Sequence, residues 1–218
     1  AFLRQVTWGY FMSIRTIVAA LAMTTIASTA GAVAVVNGGF EDPSGSGSFN
    51  TYSAGSTALT GWTISGASID HITNYWQNSE GQRSIDMQGN GGNATISQSV
   101  SGFSVGQSYT LMFDMAGNPA GNPAVKKLIA SIGGTSGSYT FDKTGKTLSD
   151  MGWETMTLSF VAGATTLSLA FSADNSGTSF GPALDNVRIV DAPAVPLPAA
   201  GFLLIGAIGG LGLMRRKG

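Results

Sequence analysis

The chain has 218 residues, room for one ordinary domain with targeting segments or for two small domains. It contains no cysteine and one histidine, His71, which excludes disulfides, thiol chemistry and a His-rich or cysteine-based zinc site. Only 11% of residues are charged, and residues 35–191 hold six Lys/Arg against twelve Asp/Glu, a net of −6 that argues against phosphate-driven nucleic-acid binding.

The first element is an address. Residues 1–11 fit no part of a secretion signal, and Met12 is the expected true start, the upstream stretch being an over-extended reading frame. Residues 12–34 read as a signal peptide: Arg15 supplies the positive charge, and residues 16–27 form an apolar run too short to span a membrane comfortably. Small-residue sites follow, with cleavage expected after Ala34 or, as the alternative, after Ala32.

From 35 to 190 the pattern has period two. Tyr109, Leu111, Phe113 and Met115 alternate with Thr110, Met112, Asp114 and Ala116. Met156, Leu158 and Phe160 repeat the alternation, as do Leu167, Leu169 and Phe171. Such alternation buries one face of a strand and exposes the other. Further strands are expected at 33–37, 62–65, 68–72, 83–87, 94–100, 126–132, 137–141 and 183–190. Glycine- and asparagine-rich clusters such as 89–93 and 118–123 separate them. No stretch of this region carries a helical period. The expectation is one all-β ectodomain, a two-sheet β-sandwich of jelly-roll type.

The last element is more specific. Residues 191–198 form a linker that runs into Val195-Pro196-Leu197-Pro198-Ala199; residues 199–214 are apolar, and residues 215–218 form a basic end. At about 1.5 Å per residue the apolar run reaches about 24 Å, slightly short of a bilayer core near 30 Å. It is expected to be a C-terminal transmembrane helix, with the basic end able to snorkel and marking the cytoplasmic side. Motif, apolar run and basic end in this order resemble the PEP-CTERM class of bacterial sorting signals, in its VPLPA variant. That resemblance implies processing by an exosortase and a Gram-negative source, often one that makes extracellular polysaccharide. A simple membrane anchor is the alternative.

A second resemblance covers residues 36–190. Asn37-Gly38-Gly39-Phe40-Glu41, Gly61-Trp62, Ile69-Asp70, residues 81–87, residues 113–118, Gly152-Trp153 and residues 181–187 together look like the choice-of-anchor C family. That family is similar to plant cell-wall proteins with galactose-binding-like jelly rolls, which implies a fold and a compartment. Sugar-binding jelly rolls often carry a structural calcium where the first and last strands meet. Here Glu41, Asp42 and Asp185 could supply its charge, with loop carbonyls the rest; the alternative is that Glu41 and Asp185 cap turns without a metal.

Gly102-Phe103-Ser104-Val105-Gly106 has the G-x-S-x-G spacing of a nucleophile elbow, but that motif needs a strand-to-helix turn, and here it joins two strands as an expected hairpin loop. Asp70 and Asp86 lie on neighbouring strands, and Glu41, Glu80, Asp114 and Glu154 are further acids, yet no spacing singles out a pair for glycoside hydrolysis. Glycan recognition needs aromatic faces beside amides or carboxylates. The best local candidate is loop 74–82, with Tyr75 or Trp76 as stacking platform and Gln77 and Asn78 as hydrogen-bonding partners. Trp62 and Trp153 are expected in the core. The expected function is therefore non-enzymatic: an exported protein, first anchored in the inner membrane and then displayed at the cell surface or in a biofilm matrix, binding extracellular polysaccharide weakly. An exported glycan hydrolase and a purely structural matrix protein are the alternatives.

Overall fold

The computed structural model describes residues 33–175 and 177–192. Most of the expected signal peptide, the sorting motif Val195–Ala199 and the apolar run 199–214 lie outside the described residues.

Among the described residues, eleven strands form two antiparallel sheets. In chain order they are β1 (Phe49–Tyr52), β2 (Thr63–Gly66), β3 (Ile69–Ile72), β4 (Ser84–Asp86), β5 (Ala94–Ser101) and β6 (Ser108–Gly117), then β7 (Val125–Ile132), β8 (Thr135–Asp142), β9 (Glu154–Val161), β10 (Thr166–Ala173) and β11 (Pro182–Asp191). One sheet has the order β1-β3-β4-β11-β6-β9 and the other β2-β5-β10-β7-β8. The alternation in the sequence sets the layering. Tyr109, Leu111, Phe113 and Met115 of β6 and Leu167, Leu169 and Phe171 of β10 all point into the space between the sheets and are buried. Phe113 meets Phe171 edge-on across that space, ring centroids 5.0 Å apart. Trp62 is in this core as expected, with its indole Nε1–H donating to the Asn37 carbonyl at 3.1 Å.

The segment 33–37 is not a strand. Asn37 and Phe40 adopt positive φ values of 51° and 59°, which an extended strand cannot accommodate. Asn37-Gly38-Gly39-Phe40 instead folds into a turn that docks on β11. A Cβ on Gly38 would lie 2.0 Å from the Val187 carbonyl oxygen, so only glycine lets the two backbones approach, and the Val187 N–H donates to the Gly38 carbonyl at 2.9 Å. The side-chain amide of Gln98 supplies Val36 with the donor and acceptor that a neighbouring strand would have given. The true first strand, β1, is four residues long and set in a run of glycine and serine, too short to show a period.

The Gly102–Gly106 loop also departs from expectation. It is a crossing between sheets rather than a hairpin, because β5 and β6 belong to different sheets. Phe103 fills the end of the sandwich against Tyr109 and Phe160, and the Ser104 N–H donates to the Tyr109 hydroxyl. The motif is thus a closing plug, with none of the geometry of a nucleophile elbow.

Register decides which residues face outward on the six-stranded sheet. Ile85 pairs with Leu184 and Leu184 with Met115, and these face the core. One residue along, Asp70 pairs with Asp86, Asp86 with Ala183, and Asp185 with Asp114, so these four carboxyls lie on the outer face. A bulge between Asp185 and Arg188, with Asn186 at φ 49°, keeps Arg188 on the same face as Asp114. The connection from β3 to β4 lies over this face. It covers Ser84, whose hydroxyl accepts from the Trp76 indole at 2.8 Å, and Asp185, whose Oδ2 accepts from the Ser79 and Glu80 amides.

Candidate functional site

A cleft of about 210 Å³ opens on this outer face over β1, β3 and β4. At its base are Asp70 and Asp86, directly opposed across two antiparallel strands. Asp86 is fully braced: its Oδ1 accepts from the Gln88 and Gly181 amides, both at 2.9 Å, and its Oδ2 from the Asn118 side chain at 2.8 Å. Burial raises its carboxyl to about 7, and the charge of Asp70 pushes the same way. Burial also raises the Asp70 acid, against the lowering effect of a hydrogen bond from the Thr51 hydroxyl. Two glycines make room for the pair. A Cβ on Gly89 would sit 2.8 Å from Asp70 Oδ1, and one on Gly181 would sit 2.4 Å from Asp86 Oδ1.

Aromatic rings line the rest. Phe49, 44% exposed, stands edge-on to Tyr75 at 5.7 Å, and Phe180 lines the cleft together with Asn90 and Asn118. Phe180 is held by an unusual support. Lys126, on the core side of β7 and fully buried, donates its ammonium to the Phe180 carbonyl at 2.6 Å and to the Gly121 carbonyl at 2.9 Å. Burial lowers its pKa to about 8. The Phe180 ring lies against Gly121, where a Cβ would come within 2.1 Å of it. Chemically, the cleft offers apolar ring faces beside carboxyl and amide groups, the combination that recognises a pyranose ring and its hydroxyls.

The residues expected to form a binding loop are divided. Tyr75 lines this cleft. Trp76 does not: it is 4% exposed, packed in the core with its indole N–H on Ser84, so it has no ring face to offer a ligand. Gln77 and Asn78 line a different cleft, with Trp153, which is half-buried rather than a core residue. Of the expected calcium carboxylates, Glu41 and Asp185 engage different residues of the β3–β4 connection. Glu41 Oε1 accepts from the Gln82 and Arg83 amides at 2.7 and 3.0 Å, Asp42 is exposed, and Asp185 is buried with a carboxyl raised to about 7 by burial. Glu41 and Asp185 cap loop backbone, and no group of three or more metal-binding side chains gathers among the described residues. His71 is buried on the core side of β3, with Nε2 2.8 Å from the Phe40 carbonyl and the ring stacked on Tyr52 at 5.8 Å. Burial lowers its pKa.

Phe49, Asn90, Asn118 and Phe180 carry little local signal. Phe49 and Phe180 sit in Ser- and Gly-rich stretches without periodicity, and the two asparagines lie in the turn-forming clusters 89–93 and 118–123. The sequence signal for the Asp70–Asp86 pair is an aspartate preceded by isoleucine in each of two short neighbouring strands, Ile69-Asp70 of β3 and Ile85-Asp86 of β4.

The chain is similar to Halomucin of Haloquadratum walsbyi, at 32% identity over 72% of this chain; the match spans only 2% of Halomucin's length. Among solved structures it is similar to TmCBM61 in complex with beta-1,4-galactotriose, at 15% identity, covering 61% of this chain and 90% of that one with a TM-score of 0.45. It is also similar to a family 35 carbohydrate binding module from Clostridium thermocellum, at 16% identity, covering 66% and 99% with a TM-score of 0.44. Residues 33–190, the whole sandwich, match the family described as Protein of unknown function (DUF642), and the chain belongs to that family.

Proposed function

We propose that the sandwich is a non-enzymatic carbohydrate-binding domain of jelly-roll, galactose-binding-like type, and that the outer-face cleft holds a neutral saccharide. The observation that supports this best is the combination of Phe49, Tyr75 and Phe180 with Asp70, Asn90 and Asn118 in one cleft. A site of one or two stacked rings binds weakly, with dissociation constants in the micromolar to millimolar range, after ordering costs are subtracted. Weak sites suit display in many copies on a surface or in a polysaccharide matrix, where multivalency multiplies affinity. The net charge of −6 over residues 35–191 favours neutral over anionic sugars.

The test is calorimetric titration of the purified protein with neutral polysaccharides, comparing wild type with Phe49→Ala. An aromatic contact is worth about 0.5–1.5 kcal/mol beyond its buried area, so affinity should fall by up to about tenfold. Phe49 is an exposed edge-strand residue, so the melting temperature should stay nearly constant. If the wild type binds no polysaccharide, the purely structural matrix reading replaces this one.

A glycan hydrolase is the second reading, and one observation favours it: two carboxyls are opposed in a cleft, one held near 7, as a general acid requires. Against it, all of the Asp86 oxygen atoms are engaged by three donors of the fold itself. Release of reducing ends from a bound polysaccharide, abolished by Asp70→Asn, would reverse the order of the two readings.

The same proposal extends to sorting: a choice-of-anchor C ectodomain carried on a PEP-CTERM signal, exported and processed by exosortase near Ala199. The ordered motif, apolar run and basic end support it. Mass spectrometry of the mature surface protein is expected to find a C-terminus near Ala199. Intact Arg215-Arg216-Lys217 on most molecules would leave a simple anchor.

A further inference from the structure

A second cleft, of about 320 Å³, opens on the same outer face over β6 and β9. Asp114 of β6 and Thr155 of β9 are direct cross-strand partners in its floor, and Trp153 lines it. Loop 74–82 contributes to both clefts, Tyr75 to the first and Gln77 and Asn78 to the second. From β3 to β6 in the sheet order is three strand spacings, about 14 Å.

The groups of this cleft are prearranged. Trp153 is half-buried, and its indole N–H is fixed on the Gln77 carbonyl at 2.8 Å, which sets the ring. Gln77 Oε1 accepts from the Met151 amide at 3.2 Å and Asn78 Oδ1 from the Ser84 hydroxyl at 2.7 Å. Both amides therefore use their oxygens on the fold, and their NH₂ groups are left as donors. Asp114 is saturated by Thr155, Ser79 and Asn186, so it braces the floor. Asp150, exposed at the rim, is the available acceptor. One fixed aromatic ring, two donors and one acceptor is a saccharide-binding set.

We infer that the Trp153 cleft is a second saccharide-contact site on the outer face, taking a neutral pyranose against the indole ring with hydrogen bonds from Gln77 and Asn78 and to Asp150. The ligand class rests on the carbohydrate reading of the first cleft; the site itself rests on its own residues. With two sites on one face, an extended glycan binds more tightly than a single sugar, because the second contact becomes intramolecular once the first is made.

The ¹⁵N-labelled full chain, titrated with neutral β-1,4-linked galacto-oligosaccharides of increasing length, tests this. The Trp153 indole N–H signal, assigned by its loss in Trp153→Phe, is expected to shift saturably, while those of buried Trp62 and Trp76 stay in place. Trp153→Ala is expected to weaken the longest oligosaccharide about tenfold with little effect on the monosaccharide affinity measured at the Phe49 cleft. In Phe49→Ala the Trp153 signal still responds; if it responds while Phe49→Ala leaves affinity unchanged, the first cleft is wrong and the second stands. A Trp153 signal that does not move at concentrations saturating the Phe49 cleft overturns the inference, as does a sugar-independent loss of folding in both Trp153 variants.

Discussion

Trp76→Ala is expected to destabilise the domain by about 3–5 kcal/mol, the usual cost of deleting a large buried aromatic ring. Trp76 is 4% exposed, packs against Tyr75 at 5.7 Å and donates its indole N–H to Ser84 at 2.8 Å. Its loss leaves a cavity beneath loop 74–82 and removes the donor to the Ser84 hydroxyl, which keeps its own hydrogen bond to Asn78 Oδ1. Trp76→Phe should cost less, retaining most of the packing and losing a hydrogen bond worth about 1 kcal/mol. Denaturant midpoints for the three proteins give the answer. Equal midpoints would mean that the ring is not in the core, and would return Trp76 to the role of an exposed platform.

The second large effect is a dependence on pH. Asp86 has a folded-state pKa of about 7 against 3.8 for the free side chain. The folded protein therefore holds this proton more tightly than the unfolded chain. The contribution to stability is fully present below about 3.8 and is lost as pH rises through about 7. At about 1.4 kcal/mol per pKa unit the difference amounts to a few kcal/mol. Asp185, also raised to about 7, acts in the same direction. His71 acts oppositely: burial lowers its folded pKa, so its contribution is present above the unfolded value of 6.5 and is lost as pH falls. The domain is expected to be more stable near pH 5 than near pH 8, and Asp86→Asn to reduce that difference, measured by denaturant unfolding at both values. A wild type whose stability rises steadily from pH 5 to pH 8 would show that the carboxyl is ionised in the folded state.

These two effects share an origin in the outer face of the six-stranded sheet. A sheet with one solvated face is normally polar there, as Asp70, Asp86, Asp114 and Asp185 are. The long β3–β4 connection then covers part of that face and takes Asp185 and Trp76 out of water, while Gly181 and Asn118 enclose Asp86. Carboxyls placed as surface groups by register become buried groups by loop packing, which accounts for both the raised acids and the dense hydrogen bonding around them.

Much of the sandwich was legible in the sequence, because alternation is a local property: Tyr109, Leu111, Phe113 and Met115 must share a face whatever the partner strand. The all-β class and the alternating strands β6, β9 and β10 follow from that, and most of the other described strands from the glycine- and asparagine-rich breaks between them. The turn at 37–40 was not legible, because apolar residues at 33, 35 and 36 mimic a strand and the positive φ values arise only when Gly38 docks on Val187. The cleft was legible least. Phe49, Asp70, Asp86, Asn118 and Phe180 are spread over more than a hundred positions of chain and meet only through the sheet order and the buried Lys126. The direction of a loop side chain is likewise set by what lies beneath it: Tyr75 and Trp76 are adjacent, yet one lines a cleft and the other is core. By itself the sequence determined the class of fold, through periodicity and the energetics of burial. Which polar and aromatic groups converge was decided by tertiary structure alone, since convergence depends on long-range pairing that no local pattern encodes.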